Sequence, residues 1–279
     1  MVIRTRLVST AMGIAVMVAA GSNASSREIH VAKTGDDSGR GSEAAPYLTV
    51  GKAALVAQAG DVVTVHTGTY REWVKPVRGG TGEDSRIVYR AAPGEDVFIK
   101  GSERVTSWKR QKDGGVWEVE LPASFFGDYN PYALKVSGGW LNYGQWHHRG
   151  DVYLNGEAFR EKQTAEEVDR TERTWHCQVD DRTTTICANF GAADPNVELV
   201  EINVRECLFM PTITGLKYIT VDGLHFLHAA ANWAPPVIEL QTGAIGPRMG
   251  KHWIIENCTV TNARCAGIIL GHAPGVDYD

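Results

Sequence analysis

Residues 219–226 read Ile-Thr-Val-Asp-Gly-Leu-His-Phe, and residues 253–260 read Trp-Ile-Ile-Glu-Asn-Cys-Thr-Val, the same outline 34 positions later. Each begins as a short aliphatic strand, breaks at a polar corner (Asp222-Gly223, Glu256-Asn257) and resumes as a second strand. Two further apolar segments, Val237-Ile238-Glu239-Leu240 and Gly267-Ile268-Ile269-Leu270, lie about 30 positions apart and are expected to match each other. Strand, corner, strand, loop, strand at one period predicts stacked turns of a right-handed parallel β-helix. No turn can bury its apolar face alone, so each must lean on the next.

Upstream, short strands are expected at 29–32, 61–66, 86–90 and 97–101, separated by Gly, Pro, Asp and Asn. One helix interrupts them. Thr49 caps it, Val50, Ala53, Ala54 and Ala57 share a face, and Gly60 ends it. An open first turn would bare strand edges, which this amphipathic helix is suited to cover. Between about Gly114 and Arg205 the rhythm changes: residues 115–120 alternate with period two, Asn155-Gly156 sits between apolar runs, and residues 173–188 read as a second hairpin. The expected fold class is all-β: a right-handed single-stranded parallel β-helix with an N-terminal capping helix and an antiparallel β insertion. Its expected divisions are 1–24, a signal peptide; 25–113, the cap and first turns; 114–205, the hairpin insertion; and 206–279, further turns.

The 279 residues are 43% hydrophobic and 22% charged, which excludes long disorder. Arg4 and Arg6 precede an apolar run, Leu7 to Ala20, and a Ser22-x-Ala24 cleavage site, the layout of a secretory signal peptide. The run is too short for a bilayer, which takes about 20 residues. A secreted or periplasmic protein with no membrane attachment after cleavage is therefore expected. Formal charge is −5, and −7 without Arg4 and Arg6, which argues against nucleic acid or an anionic membrane as partner. Five cysteines leave at least one free thiol. Cys177 and Cys187 flank a polar turn and either pair as a disulfide across a hairpin or remain two buried thiols.

No nucleophile elbow, phosphate loop, dinucleotide fingerprint or His-Glu-x-x-His occurs. Adjacent His147 and His148 in a strand would face opposite ways and could not share an ion, and His225 and His228 read as surface or groove residues. No Cys-x-x-Cys supports a zinc site, and Asp36, Asp37 and Ser38 read as a solvated turn rather than a calcium loop. Neither metal nor cofactor is expected. Eight tryptophans suggest sugars, whose flat C–H faces dock on aromatic rings, although some must be core, Trp117 among them. In residues 237–240, Ile238 and Leu240 should point inward and Glu239 outward, toward a solvent groove. Trp233, Glu239 and Gln241 are therefore the candidate substrate-binding residues, while Asp222 and Glu256 read as corner residues.

Longer runs carry a resemblance. Residues 48–72 (LTVGKAALVAQAGDVVTVHTGTYRE) look like the opening of many carbohydrate-active β-helix proteins. More particular are residues 71–103 (REWVKPVRGGTGEDSRIVYRAAPGEDVFIKGSE), 121–132 (LPASFFGDYNPY), 150–159 (GDVYLNGEAF), 188–205 (ANFGAADPNVELVEINVR), 231–236 (ANWAPP) and 251–271 (KHWIIENCTVTNARCAGIILG). Together they resemble the glycoside hydrolase family of β-helix β-xylosidases, of the pectin-lyase-like superfamily, over residues 29–270. The resemblance implies a β-helix flanked by an outer layer of β-strands, and retaining hydrolysis of β-xylosides in xylo-oligosaccharides. Family members are about twice this length, with catalytic carboxylates in turns beyond the matched part. The catalytic pair is therefore expected beyond Asp279, no catalytic residue is carried over, and the chain is expected to be a fragment with little hydrolase activity. The alternatives are a polysaccharide lyase and a non-catalytic carbohydrate-binding protein on the same fold. The acidic charge tells against the lyase, whose uronate groove wants Arg and Lys, and fold alone decides none of them.

Overall fold

The structure, a computed structural model, describes residues 26–111, 115–136, 145–231 and 242–271. The expected signal peptide and the candidates Trp233, Glu239 and Gln241 lie outside the described residues. The chain is mostly β, with few helices. No helix among the described residues is long and apolar enough to cross a membrane.

Parallel pairing stacks Glu28–Val31, Val62–Val65, Ile87–Ala91, Ile219–Asp222 and Ile254–Glu256 into one ladder. A second ladder stacks Gly68–Tyr70, Val97–Lys100, His225–Leu227 and Thr259–Thr261. A third line of parallel bridges joins Val74, Phe209, Ile245 and Ile268. The 34-residue offset is the observed register: Thr220 stands opposite Ile254, and Phe226 opposite Val260. Residues 237–240, half of the second expected match, lie outside the described residues. The other half is bridged by a neighbouring segment: Ile268 meets Ile245, with Ile245 N–H donating to Gly267 O at 3.0 Å and Ile269 N–H to Ile245 O at 3.1 Å.

Strand period two places Ile29, Val63, Tyr89 and Val221 one above another, all buried. Tyr70, Ile99 and Phe226 stack likewise beneath the second ladder. Each fully buried Val, Ile or Phe contributes about 1.5–3 kcal/mol before its ordering entropy. Gly223 and Asn257 take the left-handed conformation at matching corners (φ 70° and 53°), as Gly and Asn tolerate.

The helix Val50–Val56 packs against Glu28–Val31 and Val62–Val65, burying Val50, Ala53 and Ala54. Its start is thoroughly capped. Thr49 Oγ1 accepts from Lys52 N–H at 3.1 Å, while Glu72 Oε1 and Oε2 accept from Val50 and Gly51 N–H at 2.9 and 2.7 Å. Asp37 holds Thr49 in turn through its N–H and hydroxyl, so this carboxylate is spent on the loop.

Antiparallel pairing begins at Ser102–Arg104, ahead of the change of rhythm near Gly114, and returns at Val200–Asn203. Those strands join Val152–Leu154 and Glu157–Ala158 in a four-stranded sheet. A five-stranded sheet runs Arg160–Glu161, Thr174–Val179, Thr183–Asn189, Val116–Pro122, Lys109–Arg110. A second core lies here, with Trp108, Tyr132, Val152, Trp175, Ile186 and Ile202 buried. Asn155 and Gly156 (φ 52° and 86°) form the expected tight hairpin turn. The disulfide alternative is corrected. Cys177 stands opposite Ile186 and Cys187 opposite His176, so the two sulfurs project from opposite faces of the sheet. Both are buried free thiols.

Candidate functional site

Where the insertion leaves the stacked turns, polar side chains collect in the interior. Glu201, in a strand buried along its whole length, accepts from Lys100 Nζ at 2.9 and 3.1 Å and from Ser102 Oγ at 3.1 Å, and lies 2.6 Å from Arg71 Nη1. Burial pushes its pKa up, but Lys100 and Arg71 among its partners outweigh that and hold it below the ordinary value. His228 completes the group. Its Nδ1 meets Ser102 Oγ at 2.8 Å and its ring stacks on Tyr153 at 3.8 Å. Because Ser102 donates to Glu201, it accepts from His228, which therefore carries its proton on Nδ1. Burial lowers the His228 pKa to about 4, so the imidazole is neutral. The sequence reading of His228 as a surface or groove residue is corrected: it takes a left-handed corner (φ 66°) roofed by the insertion.

A second cluster ties the insertion to the last described turn. Arg264 donates to Asp151 Oδ1 at 2.9 Å, to Glu161 Oε2 at 3.1 Å and to the His148 carbonyl at 3.0 Å. Burial pushes the Asp151 pKa up to about 7 despite Arg264. His147 and His148 Nδ1 both meet Glu161, at 3.3 and 2.5 Å. The expectation that these histidines diverge fails because His148 makes only an isolated bridge to Lys135, and no regular strand alternates them. His148, Glu161 and Cys177 come within metal-ligand reach of one another.

The open part of the surface is different. Asp222 and Glu256 stand in register on neighbouring turns, and Asn257 Nδ2 donates to Asp222 Oδ1 at 2.8 Å. Residues 91–96 line the same groove, with Gly223 and with His225, whose ring stacks on Phe98. His225 is a groove residue, as the sequence suggested, and Asp222 and Glu256 are corner residues. Such carboxylates, imidazole and amide can accept and donate to sugar hydroxyls. The buried pairs cannot, because Asp151 and Glu161 are closed over by Arg264.

Residues 105–174 and 160–202 match the glycoside hydrolase 120 insertion domain. Residues 33–76 match a family of unknown function, DUF1565. A solved structure of XylC in complex with xylose is 47% identical, with a TM-score of 0.82, and the match covers 86% of this chain and 41% of that one. This chain thus spans about two fifths of the XylC chain it matches. A glycoside hydrolase is 15% identical at TM-score 0.48, covering 77% and 54% of the two chains. A GH136 lacto-N-biosidase from Eubacterium ramulus is 12% identical at TM-score 0.38, covering 85% and 34%. Among curated proteins none matches. The likeness that carries weight is to a glycoside hydrolase, through XylC and the insertion domain.

Sequence reasoning missed both interior clusters. Glu201 and Asn203 in an otherwise apolar strand were a visible signal of buried polar work. Arg264, Asp151 and Glu161 carried no comparable mark.

Proposed function

We propose that this chain serves a retaining β-xylosidase that acts on xylo-oligosaccharides outside the cytoplasm, residues 1–24 being removed on export. In this reading the three parallel ladders are the faces of a right-handed β-helix of the pectin-lyase-like kind. The observation that carries the proposal is the 47% identity to XylC, whose structure holds xylose, maintained over 86% of this chain. Retaining hydrolysis needs one carboxylate to attack the anomeric carbon and a second, about 5–5.5 Å away, to shuttle the proton. Neither role is assigned to a described residue. Asp151 and Glu161 are buried against Arg264, and the corner carboxylates Asp222 and Glu256 are suited to holding hydroxyls. Trp233 would stack a sugar ring, with Glu239 and Gln241 binding its hydroxyls.

The protein expressed from its complete reading frame should release β-xylose first from aryl β-xylosides, followed by NMR, and should leave uronate polymers intact with or without a chelator. Chelator-sensitive release of unsaturated uronate would instead establish a lyase. Sugar binding without turnover would establish a carbohydrate-binding protein. Trp233→Ala and Glu239→Gln should raise KM for xylobiose several-fold, and an unchanged KM removes them from the site.

A further inference from the structure

His148, Glu161 and Cys177 reach one spot from three separate segments of the insertion. Glu161 stands opposite Trp175 in the short parallel pairing of Arg160–Glu161 with Thr174–Val179, and Cys177 is on the same face, two residues on. One ligand atom from each lies within 4.8 Å of the other two. We propose that these three side chains bind one divalent transition metal of the zinc type, independently of the hydrolase reading.

The distances fit. Metal–nitrogen bonds of about 2.0–2.1 Å and a metal–sulfur bond of about 2.3 Å, at a tetrahedral angle, separate nitrogen and sulfur by about 3.6 Å. His148 Nδ1 and Cys177 Sγ are 3.7 Å apart. The His148–Glu161 contact of 2.5 Å is shorter than such an edge because a proton now joins the two groups. An ion taking the place of that proton parts them by about 1 Å or less. The donor set decides the class of metal. Thiolate and imidazole favour zinc or cobalt, whereas calcium and magnesium want oxygen alone.

The surroundings are those of a supported site. Arg264 fixes Glu161 Oε2 at 3.1 Å, and the His148 backbone N–H donates to the same oxygen at 3.0 Å. Metal-bound groups are commonly oriented by such outer partners. His148 is partly exposed, which leaves a path for entry, and the more exposed His147 also meets Glu161. On binding, the Cys177 thiol proton passes to water as the sulfur–metal bond forms. A neutral His148 moves its Nδ1 proton to Nε2 and binds through the freed nitrogen. Burial, with Glu161 and Cys187 nearby, pushes the Cys177 thiol up, so without a cation it stays protonated. Among the described residues, Asp151, His147, Arg264 and Tyr132 are ionisable groups beside the site.

Cobalt(II) is the probe. Metal-free protein titrated with cobalt should take one equivalent and develop a near-ultraviolet thiolate-to-cobalt charge-transfer band, which zinc then abolishes. The band should vanish in Cys177→Ser and persist in Cys207→Ser, whose sulfur is buried elsewhere. His148→Gln, at a partly exposed position, should weaken binding at least tenfold and serves if Cys177→Ser does not fold. No band at one equivalent, or a band that survives in Cys177→Ser, overturns the proposal.

Discussion

Glu201 has no exposed side-chain surface, and its charge is tolerated only while Lys100, Arg71 and Ser102 surround it. Glu201→Gln keeps the shape but sets two cations against a neutral amide. The expected loss is about 3–5 kcal/mol in a urea melt, as for other broken buried pairs; a loss under about 1 kcal/mol would mean that water reaches the site. His228 sets the pH dependence nearby. Its pKa of about 4 in the fold lies below the ordinary 6.5, so the unfolded chain takes up a proton that the fold refuses. Stability from this group is therefore complete above about pH 6.5 and is lost as pH falls toward 4, by about 2 kcal/mol at pH 5. Asp151 works in the opposite sense, since its raised pKa costs stability as pH climbs from 3.8 to about 7. Comparison with His228→Asn separates the two, because Asn accepts the left-handed φ of 66° and does not titrate. Between pH 7 and 5 the variant should lose about 2 kcal/mol less than the parent, and equal losses would show that His228 is not the cause.

At the scale of elements, the capping helix and the hairpins were legible because their signals are local. Thr49 and the apolar spacing behind it announced Val50–Val56, and Asn155-Gly156 announced its turn. The part Glu72 plays in capping that helix was not legible, because its carboxylate comes from beyond the strand Gly68–Tyr70 and reaches back 21 and 22 positions. Thr49→Ala should cost about 1–2 kcal/mol, since it removes the cap to Lys52 N–H and the hydroxyl's bond to Asp37. Glycines divide by the same local reasoning. A Cβ at Gly156 meets nothing within 4 Å, so Gly156→Ala pays only for its left-handed backbone, about 1 kcal/mol. A Cβ at Gly101 would lie 2.4 Å from the His228 carbonyl, where the insertion departs. Gly101→Ala should therefore cost about 3 kcal/mol or more. Similar melting temperatures for the two variants would refute this ordering.

Among the described residues the two large cores are joined by polar contacts, and here the sequence told least. The parallel register was legible because one period repeats with aliphatics at the same inward position, as the pairing of Val221 with Ile255 shows. The joint was not, because Arg264 meets Asp151 and Glu161 across 113 and 103 positions, and no periodicity links residues so far apart. Yet this joint governs how the insertion is held. Arg264 is the cation that reaches both buried carboxylates from the turn beyond Thr259–Thr261, so Arg264→Met keeps the apolar stem and strands two acids in the interior. The folded protein should lose about 3–5 kcal/mol. Hydrogen exchange should also rise in residues 147–161 while the ladder of Glu28–Val31 with Val62–Val65 keeps its protection, because the first turns share no contact with the guanidinium. Exchange that rises equally in both places would mean that the two cores open as one unit, and exchange that rises in neither would mean that Arg264 does not hold the joint.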